Sequence, residues 1–180
     1  VVIAGVQSAG KGRLGREWNS PQGGVWMSIV LRPPSMRPLQ KLTLLAGLSV
    51  AKTLKDLYGV NAVLRWPNDV LVGEKKICGI LAEGAFEGEV PLYIVMGIGI
   101  NANVDLQSFP KGLRTKATSI RKLLRHDISL NELIARLLKT LDTDYALFAR
   151  GEDESLMKEY EKLCATIGSN VRVVCGVETI

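Results

Sequence analysis

Between residues 60 and 101 the sequence reads as several apolar strands separated only by short turns, and this run constrains the fold more than any other stretch. A parallel connection needs a crossover of a dozen or more residues, so strands this close in sequence pair antiparallel. Residues 62–66 read as the first strand, which stops at Trp66-Pro67-Asn68-Asp69 because proline cannot donate to a ladder. Residues 70–72, the turn Gly73-Glu74-Lys75 and residues 76–83 give a strand, a tight turn and a second strand. Residues 92–101 are apolar enough to be central. Their glycines, Gly97 and Gly99, leave room beside the backbone for a ligand or another element.

The flanking sequence supplies two further strands and the helices. Residues 1–6 and 25–31 read as strands, with a turn at residues 21–24, and Pro33, Pro34 and Pro38 break the chain after them. Over residues 39–58, Leu42, Leu45, Ala46, Val50, Leu54 and Leu57 recur at helical spacing, and Gly59 is the C-cap. Leu44 and Leu48 lie off that stripe, which predicts a helix buried on more than one side. Residues 109–116 read as an irregular loop, and Thr118 or Ser119 caps a short helix ending at Leu124. Ser129-Leu130-Asn131-Glu132 is a capping box. It opens a helix with Leu130, Leu133, Ile134, Leu137, Leu138, Leu141, Tyr145 and Phe148 on one face, a core stripe. The single histidine, His126, falls in a surface turn; residues 152–164 form a last helix, and residues 170–180 read as strand.

A chain of 180 residues suits one domain with a substantial core, with or without a small appendage. Its 47% apolar and 23% charged residues are those of an ordinary globular protein, and the net charge of +5 is too weak to make nucleic acid the expected partner. Cys78, Cys164 and Cys175 are an odd number without metal spacing, which predicts reduced structural thiols and a cytoplasmic setting. No apolar run reaches membrane-spanning length. The sequence starts on Val1 and stops on Ile180 within strand-like residues, so we expect a piece of something longer.

The chemistry concentrates at Gly10-Lys-Gly-Arg-Leu-Gly-Arg-Glu-Trp18, where Gly10, Gly12 and Gly15 alternate with Lys11, Arg13 and Arg16 and an indole closes the run. Glycines let backbone approach a ligand, cations attract phosphate or carboxylate, and a flat ring offers a stacking surface. A strand leading into such a loop suggests an anionic, nucleotide-like ligand; a solvated basic turn is the alternative. A P-loop is the first motif to weigh, since residues 5–11 satisfy its first seven positions. Its eighth position fails, because Gly12 has no hydroxyl for Mg²⁺, and the strand-rich sequence that follows contradicts the parallel sheet a P-loop requires.

Four motifs in order, Gly10 to Trp18, Arg65-Trp-Pro-Asn-Asp69, Lys75-Lys-Ile-Cys-Gly-Ile-Leu-Ala-Glu83 and Gly97-Ile-Gly-Ile-Asn101, resemble the pattern of biotin–protein ligases over nearly the whole chain. Lys11 stands where that family has arginine and Arg65 where it usually has lysine. The resemblance implies an α+β fold: a mixed, largely antiparallel sheet backed by helices, like class II synthetases, over residues 1–167. Residues 168–180 would begin a small C-terminal β-barrel domain. A Ser-Thr-Asn stretch that contacts biotin in the family lies upstream of the loop, before Val1 in register.

The activity it implies is ATP-dependent formation of biotinyl-5′-AMP, then transfer of biotin to one lysine of a biotin carboxyl carrier protein. Biotin, ATP and Mg²⁺ are the implied ligands, and the resemblance admits a homodimer. Arg13 and Lys76 match positions that hold the acyl-adenylate. Gln7, Gly10, Lys11 and Gly12 match the biotin-side loop, continued by Gly15 and Arg16, and Trp18 matches the tryptophan that packs on adenine. Asn68, Asp69 and Asn101 match polar positions around the phosphates; no metal motif is present, and Mg²⁺ would come with the ATP phosphates, with Asp69 beside it. Gly79 would leave space for the ligand. The alternatives are a lipoate-type ligase and a non-catalytic biotin- or nucleotide-binding module, against which Lys76 argues.

Overall fold

The computed structural model describes residues 1–33, 39–88, 90–172, 174–175 and 178–179. Its centre is a sheet of six strands: β1 (Val2–Ala4), β2 (Val25–Leu31), β3 (Val63–Arg65), β4 (Asp69–Val72), β5 (Lys75–Glu87) and β6 (Val90–Ile100). The spatial order is β1-β2-β6-β5-β4-β3, and every pairing between these strands is antiparallel. The short turns of residues 60–101 therefore do what their length allows, folding β3 to β6 as successive neighbours. Among the described residues, parallel contacts are confined to two isolated bridges, Leu64 to Cys164 and Lys76 to Ala117.

Period-2 alternation divides the sheet into two faces. Met27 and Ile29 of β2, Ile80 of β5 and Ile98 and Ile100 of β6 turn to one side, where they are buried beneath helices. Helix α1 (Leu39–Tyr58) lies against β5 and contacts both α4 (Leu130–Arg150) and α5 (Glu154–Leu163). That is why Leu48, off its main stripe, is fully buried. Gly59 takes φ +65° at its C-terminus and donates its N–H to the Lys55 carbonyl. Ser129 caps α4 by accepting the Glu132 N–H, and Leu133, Leu137, Leu141 and Phe148 of the expected stripe are buried. The same face of α4 also buries Asp144, which accepts a hydrogen bond from Ser49 (2.7 Å) and pairs with Lys52 (3.3 Å), both on α1.

The other face carries a smaller cluster of Trp26, Val104, Leu106, Phe109 and Ala117, with Ala4 and Trp18 packed on it. Residues 105–118 reach it through a 3₁₀ turn (Leu106–Ser108) and a short helix α2 (Lys111–Arg114), so the stretch expected to be irregular is ordered by its own turns. Helix α3 (Ile120–Leu124) follows, capped by Ser119 rather than Thr118. His126 is exposed in the following turn.

Other boundaries also move. The first strand shrinks to β1, β5 runs on to Glu87, and α5 starts two residues later than periodicity predicts. In place of one terminal strand, β7 (Val174–Cys175) and β8 (Glu178–Thr179) pair antiparallel as a separate ribbon. The rest of that predicted strand beyond Arg172, and the breaks at Pro34 and Pro38, lie outside the described residues.

Candidate active site

Residues 7–20 fold back on themselves. Gln7 bridges Ser20 and Lys11 bridges Glu17, while Trp18 donates its N–H to the Gly10 carbonyl (2.8 Å) and Gly12 to the Arg16 carbonyl (2.7 Å). The tip is a single 3₁₀ turn, Arg13–Gly15, in which Leu14 takes φ +57° and Gly15 φ +70°. At Gly10 a Cβ would lie 2.7 Å from Ser20 Oγ, so this glycine is required by the closing of the loop upon itself. Lys11, Arg13 and Arg16 stay exposed, displayed on a backbone whose amides are partly engaged.

Trp18 is set down on the sheet by two glycines. Gly79 of β5 and Gly99 of β6 are cross-strand partners, and a Cβ on either would run into the Trp18 indole. The space expected beside Gly79 and Gly99 therefore admits a side chain of the protein itself. The indole meets Trp26 edge-on (centroids 6.3 Å apart, planes at 74°), and Lys76 Nζ stands 4.9 Å from its ring centroid.

Lys76 reaches this face through an irregularity. Val70 of β4 pairs with Cys78 but the next residue, Leu71, pairs with Lys76, leaving Ile77 as an extra residue on β5. Strict alternation would send Lys76 to the same face as Cys78. The bulge absorbs one residue, so Ile77 and Cys78 both enter the helix-side core while Lys76 emerges beside Trp18. Its backbone is clamped on both sides, donating its N–H to the Lys116 carbonyl (2.8 Å) and accepting the Thr118 N–H (2.9 Å).

The Pro67-Asn68-Asp69 corner brings acceptors to the same point. Asn68 is fixed to Ile80 by two bonds, its Nδ2 donating to the Ile80 carbonyl and its own carbonyl accepting the Ile80 N–H (3.0 Å each). Its Oδ1 accepts from Arg13 Nη1 at 3.3 Å. Asp69 takes Lys76 Nζ on one oxygen (2.5 Å) and Arg65 Nη2 on the other (2.6 Å). Asn101 is 2% exposed, and its Nδ2 donates to the carbonyls of Thr118 (3.0 Å) and Lys76 (3.4 Å). Its amide nitrogen thus braces the wall, while its Oδ1 is buried without a partner.

Two cavities open along this face, of about 260 and 520 Å³. The smaller runs from Gln7, Gly10 and Lys11 over Gly79 and Gly97 to Leu81. The larger is lined by Arg16, Asn19, Arg65, Asp69, Asn101 and the apolar side chains of Phe109 and Leu113. Gly12, Arg13, Trp18, Asn68 and Lys76 line both, so the cavities meet at two cations, an amide and an indole. Gly15 lines neither and serves the turn. Leu81 was legible as the residue two places along the strand from Gly79. Phe109, Leu113, Lys116 and Ala117 carry no motif and join the site only because residues 105–118 cross this face of the sheet.

The chemistry open to this arrangement is electrostatic. Cys78, just behind Lys76, is no nucleophile, because burial pushes its thiol well above the ordinary range, with Lys76 offsetting only part of the shift. As for Mg²⁺, no group of three or more His, Cys, Asp or Glu side chains converges among the described residues, and both Asp69 oxygens are engaged by cations. This donor set does not fit a resident metal.

Comparisons with known proteins bear on the family and the fold. Residues 1–101 match the model of the biotin/lipoate A/B protein ligase family. The bifunctional ligase/repressor BirA of Bacillus subtilis is 36% identical over 176 residues, covering 96% of this chain and 54% of that protein. The biotin–[acetyl-CoA-carboxylase] ligase of Mycobacterium tuberculosis is 34% identical over 180 residues, covering 96% and 64%. The chain thus spans roughly half to two-thirds of the length of these relatives. A solved structure of the Aquifex aeolicus biotin protein ligase, in complex with biotin and ATP, matches with a TM-score of 0.87 and 30% identity, over 99% of this chain and 73% of that one. The chain belongs to the biotin/lipoate A/B protein ligase family and has the fold of its biotin protein ligases.

Proposed function

We propose that the chain activates biotin with ATP as biotinyl-5′-AMP and passes the biotinyl group to a lysine of a biotin carboxyl carrier protein. The observation that carries this reading is the meeting of two cavities at Arg13 and Lys76. In the first step a biotin carboxylate oxygen bonds to the α-phosphorus and the bond to the bridging oxygen breaks, releasing pyrophosphate. Two anions must be brought together, so fixed cations at the junction lower the barrier by neutralising charge already present and charge that develops. In the second step the neutral amine of the acceptor lysine attacks the acyl carbon, AMP leaves with the bonding pair, and the amine's extra proton is lost to solvent.

On this reading the smaller cavity takes biotin, against Gln7, Gly10, Lys11, Gly12 and Gly79. The larger takes ATP, with Arg16, Asn68, Asp69 and Asn101 along its wall. Arg13 and Lys76 touch the reacting atoms from the shared wall, and the exposed part of the Trp18 indole meets adenine. Residues 1–167 form the catalytic unit, residues 168–180 belong to a following domain, and the setting is the cytoplasm. The deciding experiment is ATP–pyrophosphate exchange in the intact protein, with biotin, with lipoate and with neither. Label entering ATP only with biotin is the expected result. Exchange supported by lipoate instead, or none in the presence of biotin, refutes the proposal.

A further inference from the structure

We infer that Arg65 is a positioning residue for the activation step, acting on Lys76 through Asp69. The inference rests on the ATP-binding reading of the larger cavity. Arg65 ends β3, lines that cavity and binds one oxygen of Asp69 at 2.6 Å, while Lys76 Nζ binds the other at 2.5 Å. The Asp69 side chain is only 15% exposed and that of Lys76 27%, so this pairing is partly shielded from solvent, whereas Arg65 is half exposed.

A lysine ammonium has three donors. Asp69 uses one and thereby fixes how the remaining two are directed, with the Trp18 ring and the Gly79 backbone closing the other sides. A carboxylate bound to Lys76 alone would, however, cancel the charge that Lys76 must present to an anion. Arg65 removes that conflict. With Arg65⁺, Asp69⁻ and Lys76⁺ in line, the group keeps a net charge of +1 towards the cavity while the Lys76 head stays oriented. Tertiary placement is what creates this role, since the i,i+4 spacing of Arg65 and Asp69 spans a corner, not a helix turn.

The two ends of the relay are therefore predicted to respond in opposite ways. Arg65→Gln lowers the net charge from +1 to 0, and should weaken binding of ATP in EDTA, followed by calorimetry, about threefold to fivefold, the scale of a half-exposed charge. Arg65→Lys keeps the charge and should restore most of that affinity. Asp69→Asn raises the net charge to +2 and should leave metal-free ATP affinity equal or tighter. It frees the Lys76 head, however, and should lower kcat for biotin-dependent exchange roughly tenfold or more, with no rise in the Mg²⁺ concentration giving half-maximal rate.

Equal loss of ATP affinity in Arg65→Gln and Asp69→Asn overturns the inference, because a simple brace would fail alike from either end. Loss in Arg65→Lys as large as in Arg65→Gln overturns it as well. A raised Mg²⁺ requirement in Asp69→Asn with full rate at saturating Mg²⁺ would assign Asp69 to the metal and also overturn it. Calorimetry needs no turnover. If the native protein binds ATP but shows no biotin-dependent exchange, the biotin reading fails while the Arg65 arms still report.

Discussion

Gly99→Ala is the substitution whose consequence the structure defines most sharply. Gly99 is paired on one side with Trp26 of β2 and on the other with Gly79 of β5, so its backbone is held by two ladders. A Cβ there would sit 2.7 Å from Trp18 Cε2 and closer still to Nε1. Either the strand shifts or the indole leaves. Shifting the strand strains two ladders, at about 1 kcal/mol per hydrogen bond, besides about 1–3 kcal/mol of overpacking. Expelling the indole forfeits its edge-on contact with Trp26, about 0.5–1.5 kcal/mol, and the Lys76 cation–π contact, about 0.5–1 kcal/mol.

The second route is cheaper, so Trp18 is predicted to leave its seat, with a loss of roughly 1–2.5 kcal/mol of stability. A base-stacking indole contributes about 1–3 kcal/mol to nucleotide binding, so ATP affinity should fall about fivefold to a hundredfold. Gly97→Ala is the matched control: its new Cβ meets nothing nearer than the Leu81 carbonyl oxygen at 3.6 Å. Replacing a strand glycine there should leave stability unchanged or raised by up to about 1 kcal/mol. Denaturant melts and calorimetry with ATP on both variants decide the matter. Native stability and ATP affinity in Gly99→Ala would show that the indole is not seated on this glycine.

Lys76→Met should slow single-turnover adenylate formation by at least about an order of magnitude, since ~1.4 kcal/mol is a factor of ten, whereas Lys75→Met, whose exposed side chain lines neither cavity, should do little; equal losses would remove Lys76 from the chemistry. Amides of residues 10–16 should gain protection from hydrogen exchange when biotin and ATP are added together, with Gly12 already protected by its bond to Arg16; identical exchange in both states would contradict a ligand-ordered loop. Burial raises the Cys78 thiol, and burial also raises the Tyr58 hydroxyl to about 12 with help from Glu132. Both groups are held in their neutral forms in the fold, so their stabilising contribution is complete below the unfolded values of 9.0 and 10.0 and is lost as pH climbs past them. Urea melts from pH 7 to 11 should show stability falling above about pH 9, less steeply in Cys78→Ala; an unchanged slope in that variant would refute the assignment. Asp144→Ala removes the charged acceptor of the Ser49 hydroxyl, which keeps only the Leu45 carbonyl (3.1 Å), and should destabilise by roughly 1–3 kcal/mol for the lost charge-assisted bond, the remaining Lys52 charge keeping Glu159 at 2.9 Å; a change within about 0.5 kcal/mol would mean that water replaces the carboxylate.

Interactions between neighbours along the chain account for the elements themselves. Turns too short for a crossover made the sheet antiparallel, helical spacing laid out α1 and α4, and Ser129 and Gly59 marked a start and an end. The Gly-basic loop and the Trp-Pro-Asn-Asp corner announced where the chemistry would be. Which of these residues meet, and in what posture, follows from packing between elements. Lys76 faces the cavity only because a mismatch between β4 and β5 absorbs Ile77, and register against a neighbouring strand leaves no trace in local periodicity. Gly79 and Gly99 read as vacancies until cross-strand pairing brought them together beneath Trp18. Phe109, Leu113 and Lys116 became cavity wall because their segment bonds to Lys76, a residue some forty positions away. Arg65 was an arginine in place of a motif's usual lysine, unchanged in charge, until folding placed it across Asp69 from Lys76. Local physics writes elements into the sequence, whereas a site is a set of distances between elements, and only packing fixes those.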